Sequence, residues 1–553
     1  MPFERKSRPL FTDIYGWIDG AILSLAREMR ISYLPPLMVY VAAGVSGLTG
    51  IVGTFFVKDY LGLSAAFLAT LGFWAGIPWA LKMPLGHLVD LFWKWKSLLV
   101  FLGAGLIATS LGIMIGLLSH SDAMRQVMPV ETWFVVSTLL APMGYVVQDV
   151  VADALTVEAV PRFDEKGAEL DPQRKRLMHT TMQTLGRVAI IGGTILVALI
   201  NIVMFADAAD LEETTKASIY SRIYMMAMII PLISVSGVLL GEYLKFRRSR
   251  QLRKEGFSDA RIGAMLSVQE DKPEPNWWIL GGSLVFTVFT LSIGLSDLHL
   301  NQEIIFAGSL AIIIFLISRI TSSLDRNARR VLVGTAILVF VFRALPGPGV
   351  GASWWMIDEL GFDQQFLSVL SLIGSSLTLL GMFIFRRFMA ERSMAYIIGF
   401  LTLAGALMTL PNIGMYYGLH EWTSGLTGEI VDARFIALID TALESPLGQI
   451  AMIPMLAWIA NSAPPNLKAT FFAVMASFTN LALSARELGT KYLNHLFVVS
   501  REVTDASTGD ITLAADYSEL GLLLITVFVI GLGTPLLAIA LIKISPLKSV
   551  GDE

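Results

Sequence analysis

Residues 97–118 read SLLVFLGAGLIATSLGIMIGLL, twenty-two positions without one charged side chain. About 20 apolar residues in a helix cross the hydrocarbon core of a bilayer, so this stretch is long enough to span one. The rest of the chain repeats the pattern. Hydrophobic residues fill 54% of the 553 positions and charged ones 16%, against roughly 45–50% and about 25% in soluble proteins. The mean hydropathy is +0.65. A soluble multidomain reading is excluded, and an all-α polytopic membrane protein is expected. Fourteen spans are read near 34–57, 65–82, 97–118, 132–158, 178–205, 219–243, 277–294, 302–320, 329–346, 364–386, 394–412, 432–461, 467–497 and 519–543.

Charge is sorted by loop. With the N-terminus inside, 31 of the 41 Lys and Arg residues fall on one side and only Lys58, Arg125, Lys216 and Arg501 on the other. Basic loops stay in the cytoplasm, so both termini are expected there, in a plasma (inner) membrane. The first apolar run continues into a full span and is no cleavable leader. A net charge of −4 offers nucleic acid no electrostatic footprint. Zero cysteines and six scattered histidines leave no expectation of a metal site or disulfide. No nucleophile elbow, P-loop, zinc-protease or dinucleotide motif is present, so neither an enzyme, a cofactor nor an ATP-driven pump is expected.

Six spans, a basic loop, two spans and six more suggest paired halves with an insertion, a transporter habit. The expected organisation is a cytoplasmic amphipathic segment at 1–32, a six-helix half at 33–243, a basic linker at 244–276, an inserted helix pair at 277–320, a second six-helix half at 328–543 and a tail at 544–553. In the first segment Ile14, Trp17, Ile18, Ala21, Ile22 and Leu25 form one helical stripe, suited either to an interfacial anchor or to packing on the bundle. The inserted pair has almost no intramembrane charge and is expected outside the transport path.

Ionisable residues inside spans are costly and therefore candidates for function. GYVVQDVVADALTVEAV (144–160) carries Asp149 and Asp153 four apart, and the next span carries Arg187. ALIDTALESPLGQ (437–449) carries Asp440 and Glu444 four apart, and the following span carries Arg486. Four-residue spacing stacks both carboxylates on one helix face. At 1.5 Å per residue, Asp149 and Arg187 each lie roughly 14 Å from the cytoplasmic end of their spans, and Asp440 and Arg486 roughly 30 and 29 Å. These pairs read either as fixed ion pairs or as proton-coupling groups. Arg343 and Glu444, at roughly 21 and 25 Å, are assigned with Gln148 and Gln449 to the solute cavity. Trp354 and Trp355 suit either stacking on a flat ligand or an interfacial aromatic belt.

GIPWALKMPLGHLVDLFWKWK (76–96) places Gly86 four residues before Asp90, with Lys94 and Lys96 beyond. This resembles the cytoplasmic motif of the major facilitator superfamily, which implies a latch between halves, an Asp facing a helix N-terminus. Lys82 and Glu158 are candidates to complete it. In the second half GMFIFRRFMAER (381–392) keeps Gly381, Arg386 and Arg387 but has Phe385 at the Asp position, so a second latch is degraded there. Taken with DVVADALTVEA, the segment VFRALPGPGVGASWWMIDELGF and the segment LIDTALESPLGQIAMIPMLAWIANSAPPNLKATFF, the chain resembles the folate-biopterin transporter family. The resemblance implies a major facilitator fold and secondary transport of a pteridine-like or other organic anion, coupled to protons; a monomer is expected. The pair at 277–320 and the loop at 498–518 lie outside it. A different reading stays open, a facilitator fold without transport that serves as an assembly factor for a membrane complex.

Overall fold

The computed structural model describes residues 24–549 apart from 62, 81, 92–94, 162–169, 207–212, 267–276, 297, 463–467 and 505–510. Most of the amphipathic N-terminal stripe and part of the basic linker lie outside the described residues.

The architecture is a helical bundle. In the first half, α1 (Leu34–Val45) and α2 (Gly50–Tyr60) form one span joined by a 3-10 turn, and α3 (Ala65–Ala80) leads into α4 (Lys82–Leu91). Then come α5 (Lys96–Ser119), α6 (Val130–Ala159), α7 (Pro172–Met204), and α8 (Glu213–Ala227) running into α9 (Ile229–Lys254). The inserted pair is α10 (Trp277–Gly294) and α11 (Asn301–Ile320). The second half contains α12 (Arg326–Arg343), α13 (Val350–Asp358), α14 (Gln364–Ile384), α15 (Met394–Tyr416), α16 (Ala433–Glu444), α17 (Met452–Ser462), α18 (Lys468–Leu496) and α19 (Leu520–Ile544). The loop before α19 carries a small antiparallel hairpin of β1 (Val503–Thr504) and β2 (Ile511–Leu513).

Twelve spans among the described residues are long and apolar enough to cross a membrane. The other two of the fourteen expected are present as α12 and α18. Arg326, Arg329, Arg330 and Arg343 on α12, and Arg486, Glu487 and Lys491 on α18, make them too polar to count by composition. Both pack within the bundle, where protein rather than lipid surrounds much of their surface. Elsewhere Leu232, Leu291, Leu407 and Leu537 are each more than half exposed, the outward apolar surface that a bilayer covers.

Small residues bring helices close. Gly44 of α1 lies against the α7 backbone at Ile190 and Gly193, and Gly103 of α5 against Gly144 of α6, so that a side chain at either would collide with main chain. Dispersion over such close approaches holds helices together where lipid removes the hydrophobic driving force. Ser110 and Ser137 add reciprocal hydrogen bonds between α5 and α6.

Two seams join the halves. The second span of the first half, through α3, packs on α18, the fifth span of the second; α7, the fifth of the first, packs on α14, the second of the second. The inserted pair sits on one seam: α10 touches α4, and α11 touches α18. There Lys491 donates to Gln302 at 2.9 Å and pairs with Glu303 at 3.2 Å.

The two faces of the bundle differ. At the face opposite the basic loops, Val52, Phe55, Trp354, Phe362 and Leu520 belong to one buried cluster drawn from both halves. Trp354 and Trp355 are 1% and 6% exposed, so they pack this seal and are neither an aromatic belt nor a ligand platform. Lys58 Nζ, ending the first span, lies 2.6 Å from Asp358 Oδ1 on α13, and the Tyr517 hydroxyl donates to Asp358 Oδ2 at 2.5 Å. Burial and that carboxylate push the Tyr517 hydroxyl above its ordinary range, which keeps it protonated as the donor. Toward the basic face, three smaller clusters of described residues each stay within one half, while a fourth joins Ala80, at the end of α3, to the inserted pair and the second half. Asp358→Asn is expected to loosen the sealed face. The native chain lacks cysteine, so a single cysteine at buried Ala352 reports directly, and its labelling by a membrane-impermeant maleimide should rise several-fold. Equal labelling with and without Asp358→Asn would show that the ion pair does not hold the seal.

Candidate functional site

In the first half the charges converge on α6. Lys82, the first residue of α4, places Nζ 2.5 Å from Asp149 Oδ2 and 2.8 Å from Asp153 Oδ2. Tyr40 of α1 donates its hydroxyl to Asp153 Oδ1 at 2.8 Å. The expected Asp149–Arg187 pair is not made: among the described residues no ion pair joins them, and Lys82 stands in that place. A lysine at a helix end can bury its methylene stem and carry its ammonium several ångströms along the bundle.

Lys82 is therefore not the partner of Glu158. Glu158, nearly buried, is held instead by Lys96 at 2.8 Å and Lys245 at 2.9 Å, which ties α5, α6 and α9 together at the basic face. Gly86 and Asp90 lie on α4, and the Asp90 side chain is outside the described residues. Gln148, expected at the cavity, is 3% exposed. Its amide donates to the Val100 carbonyl at 3.3 Å and the Ser234 hydroxyl at 2.9 Å, so it fastens α6 to α5 and α9.

The second half departs from the first at its fourth span. Residues 432–461, expected as one span, are broken: α16 ends at Glu444, Ser445–Leu447 form a 3-10 turn, and α17 resumes at Met452. Pro446 has no N–H and cannot continue the ladder. The Ser445 carbonyl, which accepts the Gly448 N–H at 3.1 Å within the turn, also accepts from the Thr378 hydroxyl at 2.9 Å. Gly381 allows α14 to approach, since any side chain there would collide with the Pro446 main chain. Its place in the sequence is thus explained by packing against the break.

A cavity of about 300 Å³ opens at this break, lined by Arg343, Gly448, Gln449, Met452 and apolar side chains of α12 and α15. Arg343 Nε donates to the Thr479 carbonyl at 3.0 Å, and its NH1 meets the Met452 sulfur at 3.6 Å. Gln449 Oε1 is buried with no hydrogen-bond partner. Arg343 and Gln449 both line this cavity, while Glu444 is exposed at the end of α16 and makes no ion pair with Arg343 among the described residues. Asp440, 9% exposed, accepts from Asn412 Nδ2 at 2.8 Å, and its other oxygen has no partner. The expected Asp440–Arg486 pair is absent among the described residues; Arg486 faces the turn at Gly347. Tyr40 and Asn412 escaped the sequence reading because a neutral residue in a span leaves no charge signal. No group of three or more potential metal-ligating side chains occurs among the described residues.

Such an interior, with charged groups near mid-depth and a polar-ended cavity at a broken helix, can hold a small polar solute. A match to the BT1 family covers residues 43–552. A folate-biopterin transporter of Synechocystis sp. is 23% identical over 450 residues, 81% of this chain and 71% of that protein. Folate transporter 2 of Plasmodium falciparum is 22% identical over 169 residues, 31% of this chain and 36% of its own length. Among solved structures, a POT family transporter in complex with a thioalcohol-conjugated peptide aligns at a TM-score of 0.57 and 11% identity, covering 93% of this chain and 96% of that one. The nucleoside transporter NupG aligns at 0.52 and 12%, covering 92% and 99%. At such identities the structures speak for the fold alone, which is the facilitator-type bundle expected. With its match running through both halves, the chain belongs to the BT1 family and is a multi-pass membrane transporter of a small solute, not an enzyme.

Proposed function

We propose that the protein is a secondary active transporter that carries a pteridine-like (folate or biopterin) or other organic anion by alternating access, in symport with protons, as a monomer. The observation that supports this best is the Arg343 cavity at a broken membrane helix of the second half, in a bundle whose largest buried cluster drawn from both halves lies at the face opposite the basic loops. The basic face is the cytoplasmic one in this reading, with both termini there and the protein in the plasma (inner) membrane. The described conformation is then closed to the outside. The name of the Synechocystis relative supports the substrate class. A non-transporting assembly factor would have little use for an arginine with unspent donors in a cavity.

Uptake of labelled folate and biopterin into proteoliposomes, with and without an imposed pH gradient, tests the proposal. Accumulation that follows the gradient is expected, and equal uptake with and without it would remove the proton from the mechanism. Coupling is assigned to the second-half carboxylates, Glu444 first and Asp440 with it, because neither has a cation partner within ion-pair distance among the described residues, whereas Lys82 holds Asp149 and Asp153. Glu444→Gln mimics the protonated acid. It should keep solute exchange across the membrane while losing gradient-driven accumulation. Full accumulation in both Glu444→Gln and Asp440→Asn would move the coupling group to the first half.

A further inference from the structure

The cavity at the break between α16 and α17 has complementary unmet needs. Arg343 spends Nε on the Thr479 carbonyl, but the partner of its NH1 is a thioether sulfur at 3.6 Å, a weak acceptor. Guanidinium donors therefore remain for a ligand. Beside it, Gln449 holds a buried amide oxygen that receives no donor, an arrangement that favours any ligand bringing one. The other walls are Phe342, Met394, Met452 and Met455. Thioether sulfurs are polarisable, make favourable contacts with aromatic rings and adjust to their outline.

We propose that this cavity, wholly within the second half, seats a planar heteroaromatic ring of the solute, one edge of which carries a carbonyl acceptor next to an N–H donor. Arg343 meets the acceptor and Gln449 the donor, while the methionines cover the ring faces. The inference rests on the transport of pteridine-like anions proposed above and adds where the ring lies. About 300 Å³ is at the small end for ligand sites, enough for a bicyclic ring and too little for a ring with a long conjugated tail. A tail would leave the cavity toward the first half, whose α7 carries Arg187.

The test uses the full chain in detergent and three probes: folate, biopterin as a ring without the anionic tail, and p-aminobenzoylglutamate as a tail without the ring. Gln449→Leu keeps the size of the side chain and removes its amide; Met455→Trp fills the cavity. Biopterin binding is expected to weaken about tenfold in Gln449→Leu, the loss of roughly one hydrogen bond, and to disappear in Met455→Trp. Tail-fragment binding should hold its wild-type level in both. If Met455→Trp does not fold, Gln449→Leu decides alone. Unchanged biopterin affinity in Gln449→Leu, with folate still transported, would place the ring elsewhere and leave the transport reading standing. A wild type that transports another organic anion but binds neither ring-bearing probe would overturn the ring seat and the pteridine class together. Failure to transport any of the anions would strike the transport reading itself.

Discussion

Lys82→Met is expected to lower the thermal midpoint of the purified protein sharply and to abolish transport. The substitution removes the one group that bridges Asp149 and Asp153, at 2.5 and 2.8 Å, and leaves two carboxylates one turn apart on α6 with Tyr40 as the remaining neutral donor. Removing one partner of a buried ion pair costs about 3–5 kcal/mol. The lower end applies here, because the Asp153 side chain is 41% exposed and keeps part of its hydration. The companion variant Lys82→Met/Asp149→Asn removes one stranded charge and should recover most of the loss, which separates electrostatics from packing. Detergent melting followed by intrinsic fluorescence reads both. A single variant that melts with the wild type would show that water already screens the cluster.

The second large effect concerns Arg343→Lys. The guanidinium has a fixed fork: one edge is committed to the Thr479 carbonyl and the other is turned to the cavity. Lysine offers a single ammonium and cannot serve both directions with the same geometry. A charge-assisted hydrogen bond contributes about 1.5–3 kcal/mol, so KM for an anionic solute should rise roughly ten- to hundredfold at 1.4 kcal/mol per decade. Size-exclusion chromatography should show the variant still folded. Unaltered KM and maximal rate would take Arg343 out of the binding site.

The order of the spans is legible because hydropathy is a property of the chain in one dimension. The partners of the charges are not, because matching depth says nothing about azimuth. Arg187 is level with Asp149 along the bundle, yet Lys82 reaches that carboxylate from a helix end. Arg486 is level with Asp440 but faces the turn at Gly347. Depth would have admitted Lys82, had the reach of its stem been added to its backbone position. The break in the fourth span of the second half did have a local signal, Ser445-Pro446 followed by Gly448, since proline and glycine in succession interrupt a helix. Apolar residues on both sides masked it. Asn412 and Tyr40 carry no charge, and only the fold makes them partners.

The inserted pair breaks the symmetry of the two seams. At α3 and α18, α10 and α11 lie across the joint and touch both halves; Phe73, Ile305 and Leu488, one from each of the three parts, are buried together there. At α7 and α14 no such cover is described. Among the described residues the bundle is thus braced along one edge and uncovered along the other, like a book with a single bound spine. If the halves rotate against one another as proposed, the inserted helices would move with them at the bound edge, and the acyl chains of a surrounding bilayer would meet the other joint.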